Sequence, residues 1–534
     1  MSSILERTPS AQLAFRTAAE CRRWLESLPL TSVAIAQPAL AGQLALLRGS
    51  ALPALERLRI CETLREPIDY VQSESAKRYA GRPLPLDVPP LDALNKTLAL
   101  WQLVRDCYED CLAALERGDP ALASHGSLVM LRCLRLTGRQ MLEHYRVYRE
   151  VPPALWTALN RFYAVAEQRG YARADIPDAI THGEPLRTCG AAYVHALLCR
   201  LANPYALSVR QMDFLDRWLE AWAAHVNVQV EMPPISATPA LAVDIAAAAG
   251  VAVADDSPAT ASRRYLDVEP LGQRLRQLLA ALKQGRSPAQ LGLGEDAHQP
   301  GCESMLMLLY IQWCRSGANR LEERTAADEK AQVCLGMHAT HFYIGGRAFR
   351  TPGRPLTRRE DDDVQLFGHV TERTERMMAS GESLAIEIWE ILNQSAAGFM
   401  ALVRDPEAVL PVRHGQLIAV RRATSRVFYA GTVQWLRLTA EGHLRVGARL
   451  FPGMPQAMSA RPLAGGSWGT LRYERALILP EVPAPHTPAS IILPPGWYQS
   501  GRIIELNGER AQRITLLALV EKGADFDRCT FRPE

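Results

Sequence analysis

The chain has 534 residues, 48% of them hydrophobic and 22% charged, the make-up of a globular protein of roughly two to four domains. Its 60 basic and 57 acidic residues leave a net charge of +3, which gives no case for a nucleic-acid partner or a membrane surface. The 11 cysteines are odd in number and scattered, with no CxxC pair and no Cys/His zinc spacing, so a reduced, cytoplasmic compartment is expected. The first residues, 1–7, lack the basic-then-apolar pattern of a secretion signal. The most apolar stretch, 240–254, is too short to span a bilayer and contains Asp244. Its alanine-rich make-up suits a linker helix or a small packed segment.

From Ser10 to about residue 240 the apolar residues recur at helical spacing. Ser10 is a plausible N-cap, and Leu13, Phe15, Cys21, Trp24 and Leu28 follow a helical period. Residues 54–65 are strongly amphipathic. Residues 81–90 hold four prolines and break the pattern, because proline cannot continue a helix. Helices are expected over 94–117, 125–151, 153–169, 190–202 and 209–225, as antiparallel pairs with short loops. No repeat of solenoid length is found. A proline-rich connection at 231–239 looks like a boundary. Further on, 271–283 is amphipathic and 303–315 is apolar enough to be buried. Asp255 and Asp256 have no second ligand cluster and read as a solvated turn.

The character then changes. Residues 333–344 look β-like and stop at Gly345 and Gly346. The stretch 347–359 is basic and proline-containing, 361–363 is acidic, and 370–378 has the length of a short helix. From residue 384 onward strands and turns dominate. Leu384, Ile386 and Ile388 share one parity and Ala385, Glu387 and Trp389 the other, which reads as a strand. The turn Asn393-Gln-Ser395-Ala-Ala-Gly398 and a second apolar run, 399–403, follow. Further strands are expected over 416–420, 427–437, 444–450, 469–477, 489–493, 501–505 and 513–520. The fold class is therefore α+β with segregated parts, a helical half followed by a β half.

Few residues suggest catalysis. His338 and His341 are spaced i, i+3, which on a strand places them on opposite sides, unsuited to a shared metal. The GxSxG string at Gly465 to Gly469 has no strand–turn–helix around it and reads as a Gly/Ser loop. No acid/base pair, metal cluster or phosphate loop stands out, so no enzyme activity, metal or cofactor is expected. The arginines are more informative. Arg350, Arg354 and Arg358 are spaced four apart, with Arg359 adjacent, among Pro352, Gly353 and Pro355. This reads as a loop presenting several planar guanidinium groups, which suit phosphate oxygens and stack on bases.

Taken together, Arg354-Pro-Leu-Thr-Arg358 and Asn393-Gln-Ser395-Ala-Ala-Gly398 resemble the two signatures of the PilZ domain, a bacterial receptor module for cyclic di-GMP. Those signatures are RxxxR on a switch loop and (D/N)xSxxG at the strand turn of a small β-barrel. The strands around Trp435 and at 444–451 are similar to the closing part of that barrel. A competing RxxxR at Arg350 to Arg354 leaves the register open. The resemblance implies a helical region over 1–240, a linker with further helices over 241–330, a PilZ-like barrel over 331–462 and an extra β region over 463–534. It implies cyclic di-GMP as ligand. Arg354 and Arg358, with Arg359 in reserve, would clamp phosphate and stack on guanine. Asn393 and Ser395 would bond a guanine edge, and Gly398 would admit close backbone approach. The leading reading is a non-catalytic effector whose helical half binds a protein partner. The alternative is a degenerate adaptor that keeps the barrel and binds no nucleotide.

Overall fold

In the computed structural model of the chain, the described residues are 12–176, 187–234, 238–254, 260–315, 325–378, 384–395, 398–403, 410–463, 472–483, 487–508 and 511–534. Ser10, Asp255, Asp256 and the GxSxG string lie outside them. The chain divides into two compact units, residues 1–82 with 86–319 and residues 83–85 with 320–534.

The first unit is helical for most of its length. Its helices are α1 (Ala18–Ser27), α2 (Val33–Arg48), α3 (Ala54–Ala76), α4 (Val88–Glu116), α5 (Gly126–Arg146), α6 (Pro153–Gln168), α7 (Cys189–Leu201) and α8 (Val209–Trp222). Local chemistry sets their starts. Thr17 caps α1 and Thr188 caps α7 through their hydroxyls, and Ser208 with Gln211 forms a capping box on α8. Helix α4 begins earlier than the proline run suggests. Pro89 and Pro90 fall in its first turn, where a backbone N–H has no helical partner to lose. Helix α5 is buried around most of its circumference and is the central element. Gln37, Gln72 and Thr97 are buried and bond one another between α2, α3 and α4.

At three places the secondary structure differs from the sequence-based expectation. The alanine-rich stretch is no helix. It supplies β2 (Leu241–Asp244) and β3 (Ala252–Val253), which join β1 (Asn227–Gln229) and β4 (Arg263–Asp267) in an antiparallel sheet of order β1-β4-β2-β3. Asp244 ends β2 by accepting the Ala246 N–H at 2.9 Å, a local turn that competes with helix. Helices α9 (Glu269–Lys283) and α10 (Gly301–Cys314) complete the described part of this unit. The second change is at 333–344. The strand β5 (Thr325–Leu335) stops at Gly336, whose φ of +80° only glycine adopts readily, and α11 (Gly336–Gly345) follows. The apolar run there fits either period, and the glycine decides between them. The third is at the arginines: Arg358 and Arg359 open a helix, α12 (Arg358–Phe367), followed by α13 (Glu372–Met378).

The rest of the second unit is two closed, antiparallel, six-stranded barrels. The first has the order β10-β7-β6-β5-β8-β9, with β6 (Glu387–Ser395), β7 (Gly398–Val403), β8 (Leu417–Arg422), β9 (Tyr429–Leu438) and β10 (Leu444–Leu450). The second has the order β11-β12-β13-β16-β15-β14. Its strands are β11 (Gln456–Pro462), β12 (Glu474–Leu479), β13 (Ser490–Leu493), β14 (Ile503–Asn507), β15 (Ala511–Lys522) and β16 (Asp527–Pro533). Strand β11 pairs with β12 and β14, so the change from one barrel to the next falls between Leu450 and Gln456. The extra C-terminal β region is thus a barrel with its own core of Ile491, Leu493, Ile504, Leu506, Ile514 and Leu516.

The barrels share an apolar seam of Leu417, Phe451, Leu477, Ile492 and Phe526, against which Met337 and Ile344 of α11 pack. His341 of α11 is buried and lies with Nε2 3.1 Å from the Met458 carbonyl oxygen, and burial holds its pKa down to about 4. His338 is exposed. On a helix i and i+3 share a face, contrary to the strand-based expectation, yet the two rings sit in different surroundings and do not form a metal pair.

Candidate functional site

The Asn393–Gly398 motif lies at the tip of the hairpin that joins β6 and β7. The strand continues further than the turn residues suggest: Asn393 pairs with Met400, Gln394 with Phe399 and Ser395 with Gly398. Only 396 and 397 remain between the strands, and they lie outside the described residues. Below the tip, Trp389 is fully buried while Ile388 is 56% exposed. The strand's inner face is therefore the Trp389 and Ile391 parity. The Trp389 indole N–H donates to Glu387 Oε2 at 2.7 Å, which satisfies its one polar atom. Asn393 is half-buried, with its amide nitrogen 4.0 Å from the Met400 sulfur.

Gly398 has a structural reason of its own. Strand β7 pairs with β10, Gly398 opposite Arg449 and Phe399 opposite Ala448. A Cβ at 398 would sit on the Ala448 carbonyl oxygen, which is backbone and has no rotamer to yield. Closure of the barrel therefore requires glycine here, whatever else the position does.

The second group of expected residues lies between α11 and β6. Thr357 caps α12. Its N–H and hydroxyl both donate to Glu360 Oε2 at 2.7 Å, and its oxygen accepts from the Glu360 N–H. Glu360 is 1% exposed. Arg350 donates to Glu360 at 2.9 Å and to Glu375 at 2.5 Å, and Glu375 also accepts the Ala348 N–H at 2.6 Å. Burial opposes ionisation of Glu360, but the Thr357 donors and the Arg350 guanidinium outweigh it and bring its pKa down to about 2. Arg350 is thus committed to bracing this segment. Arg354 is more open: its side chain is 40% exposed and its nearest carboxylate, Glu360, is 3.9 Å away. Arg358 and Arg359 are exposed on the first turn of α12, and Arg359 reaches the Met377 sulfur at 3.0 Å. Among the described residues, no ion pair joins the acidic run to these arginines. Asp363 instead accepts from the Thr371 N–H and hydroxyl at 2.9 and 2.7 Å, at the start of α13.

Among the described residues, no hydrogen bond or ion pair joins Arg354, Arg358 or Arg359 to Asn393. What does meet Asn393 is the start of β5: Thr325 pairs with Gln394 and Ala326 with Asn393. The five residues before Thr325 read Arg320-Leu-Glu-Glu-Arg324, a third RxxxR string. These residues lie outside the described set, but Arg324 is bonded covalently to Thr325. The string stands in the sequence as RxxxR directly before a strand. It was obscured because the apolar part of β5 begins only at Ala331, after Glu329 and Lys330.

Comparison with known proteins bears on the whole chain. Three family models, each describing one domain of the cyclic-di-GMP receptor FimW, match in succession. The N-terminal domain matches residues 19–234, the middle PilZ domain residues 252–380 and the C-terminal beta-barrel domain residues 459–533. A cyclic-di-GMP receptor FimW from Pseudomonas aeruginosa is 23% identical over 576 aligned positions, which cover 96% of this chain and 90% of the relative. The middle match takes in β5 and the three helices after it, and the closed barrel continues beyond it to Leu450.

Proposed function

We propose that this chain, which belongs to the PilZ-domain proteins, is a non-catalytic receptor for cyclic di-GMP whose ligand site is built on the β6–β7 hairpin of the first barrel. The likeness to a cyclic-di-GMP receptor FimW supports the ligand. In this reading Asn393 and Ser395 bond a guanine edge, and Gly398 keeps the strand backbone close enough for contact. The phosphates are taken by arginines of an RxxxR string, since a guanidinium fork matches two phosphate oxygens.

The observation that carries the reading is the register of β5 on β6. It places the residue after Arg324 opposite Gln394, within the (D/N)xSxxG motif. Arg320 and Arg324 are therefore the first choice for the phosphate contacts. The set Arg354, Arg358 and Arg359 is a second source, favoured by its exposure on and before α12. The ligand then acts by engaging arginines beside the hairpin and changing the surface offered to a partner. The helical unit is the output region in this scheme. No helix among the described residues is long and apolar enough to cross a membrane.

The test is calorimetric titration of the full chain with cyclic di-GMP, beside Arg324→Ala, Arg358→Ala and Asn393→Ala. Loss of a charge-assisted contact should weaken binding by roughly tenfold to a hundredfold. Weakening in Arg324→Ala and Asn393→Ala with little change in Arg358→Ala assigns the clamp to the first set, and the reverse pattern assigns it to the second. Unaltered affinity in all three variants removes the site from this hairpin. An absence of binding by the native chain leaves the barrel as an adaptor surface.

A further inference from the structure

The chain's 11 cysteines are all free and buried. Burial alone makes a thiol inert, because it penalises the charged form that reacts. It pushes the thiols of Cys21, Cys111, Cys189, Cys314, Cys334 and Cys529 up to about 12. Cys199, near the C-terminal end of α7, has different neighbours. Its sulfur lies 4.0 Å from Nδ1 of His195, one turn earlier on the same helix. The other ring nitrogen, Nε2, lies 3.1 Å from Asp216 Oδ1 and 3.2 Å from the Asp216 carbonyl oxygen on α8. Asp216 in turn accepts from Arg139 Nη1 of α5 at 2.7 Å.

Both partners of Nε2 are acceptors, so Nε2 carries a proton. Nδ1 is then the nitrogen that faces the thiol and can take its proton. Nucleophile, base and orienting carboxylate thus stand in the sequence that activates a thiol. Burial opposes a charge on the ring, but Cys199 and Asp216 outweigh it and raise the His195 pKa to about 10. Against burial, Arg139, His195 and Arg146 hold the Asp216 carboxyl well below the usual carboxylate range. Tyr145 of α5, which interacts with both Cys199 and Arg200, is kept neutral by burial. Cys199 is 5% exposed, more than any other cysteine, and the His195 and Asp216 side chains are 13% and 14% exposed. The cluster therefore lies just under the surface, which suits a reactant hardly larger than water.

We propose that Cys199 is an oxidation site of the helical unit, its thiolate formed by His195 and its oxidant a small hydroperoxide such as hydrogen peroxide. The thiol proton passes to Nδ1 of His195. The thiolate sulfur then attacks one peroxide oxygen and the O–O bond breaks. Sulfur loses two electrons and becomes a sulfenic acid, while the departing hydroxide takes the His195 proton and leaves as water. Asp216 is a positioning residue, which fixes the ring and favours its charged form. The proposal is independent of the hairpin site, and either can fail without the other.

The test exposes the native full chain to hydrogen peroxide for timed intervals and stops the reaction with catalase. The chain is then denatured, the surviving thiols are alkylated, and each cysteine is counted by peptide mass spectrometry. Cys199 is expected to be lost about tenfold faster than any other cysteine, and roughly tenfold more slowly in His195→Gln and in Asp216→Asn. Loss of Cys199 no faster than the rest, or at the native rate in His195→Gln, overturns the proposal. A variant in which all the cysteines react together has unfolded, and the pH profile of the native chain then decides. An ordinary thiol, of pKa about 8.5, reacts roughly tenfold faster with each pH unit between about 6 and 8. Cys199 is expected to change by less than about twofold over that range, and the ordinary rise overturns the proposal.

Discussion

The two barrels of the second unit share strand number, antiparallel pairing and closure, and differ in what is attached to them. The second carries no helix among the described residues and is filled by Ile491, Leu493, Ile504, Leu506, Ile514 and Leu516. The first has α11, α12 and α13 inserted between β5 and β6, and presents a polar tip at Asn393. A barrel needs only an apolar interior and tolerable strand contacts, so function is carried by insertions and hairpin tips. The second barrel stands as support for the first. It contributes the Met458 carbonyl that holds His341, and Asp525 Oδ1, which accepts the Leu417 N–H at 2.8 Å.

This contrast can be broken at several points. The largest effect is expected in the second barrel's core: Leu493→Ala should cost about 2–5 kcal/mol in chemical denaturation. It should leave cyclic di-GMP affinity unchanged where the chain remains folded, and a parallel loss of affinity would show that the second barrel shapes the site. Next comes Gly398→Ala, which forces a Cβ against the β10 backbone and should cost about 1–3 kcal/mol. Gly508→Ala in the second barrel meets only the end of the Met458 side chain, at 2.5 Å, and should cost less. Equal losses at the two glycines would mean that β7 and β10 can separate.

The seam between the barrels gives a pH dependence. Burial raises the Asp525 carboxyl from 3.8 to about 6, against the pull of the Leu417 N–H. The folded state then binds more proton than the unfolded state between these values. Stability should fall as pH rises from about 4 to about 6, by on the order of 1–2 kcal/mol for a partly screened group, and level off above. Asp525→Asn should flatten that stretch of the curve. The smallest effect concerns α12. Glu360→Gln weakens its capping box and the Arg350 brace and should cost about 1 kcal/mol, read as loss of helical signal. The Glu360 carboxyl is held down to about 2, so its contribution is present above about 4.5 and is lost as pH falls from there towards 2.

Much of this division is legible in the sequence, because it follows from period. Helical spacing marks the first unit, and alternation with turn residues marks most strands of both barrels. The failures have local physical causes. The 333–344 run is apolar at a spacing that suits either element, and a single backbone angle at Gly336 decides it. The arginines near Pro352 and Pro355 look like loop, but Thr357 and Glu360 form a capping box whose spacing, Thr-x-x-Glu, is visible in the chain. Residues 240–254 look like an alanine-rich helix because β2 and β3 are too short to show alternation. At the site, the hairpin motif was readable as a string of residues. The approach of β5 to that motif is not legible in the same way, since only the pairing of Ala326 with Asn393 brings two segments so far apart in sequence together.

The most direct test of the central claim is a titration of the native full chain and of Asn393→Ala with cyclic di-GMP, with GMP as control. The account predicts saturable binding of the cyclic dinucleotide, little response to GMP, and at least tenfold weaker binding by the variant. Equal affinity of the native chain and the variant, or no saturable binding by the native chain, would contradict it.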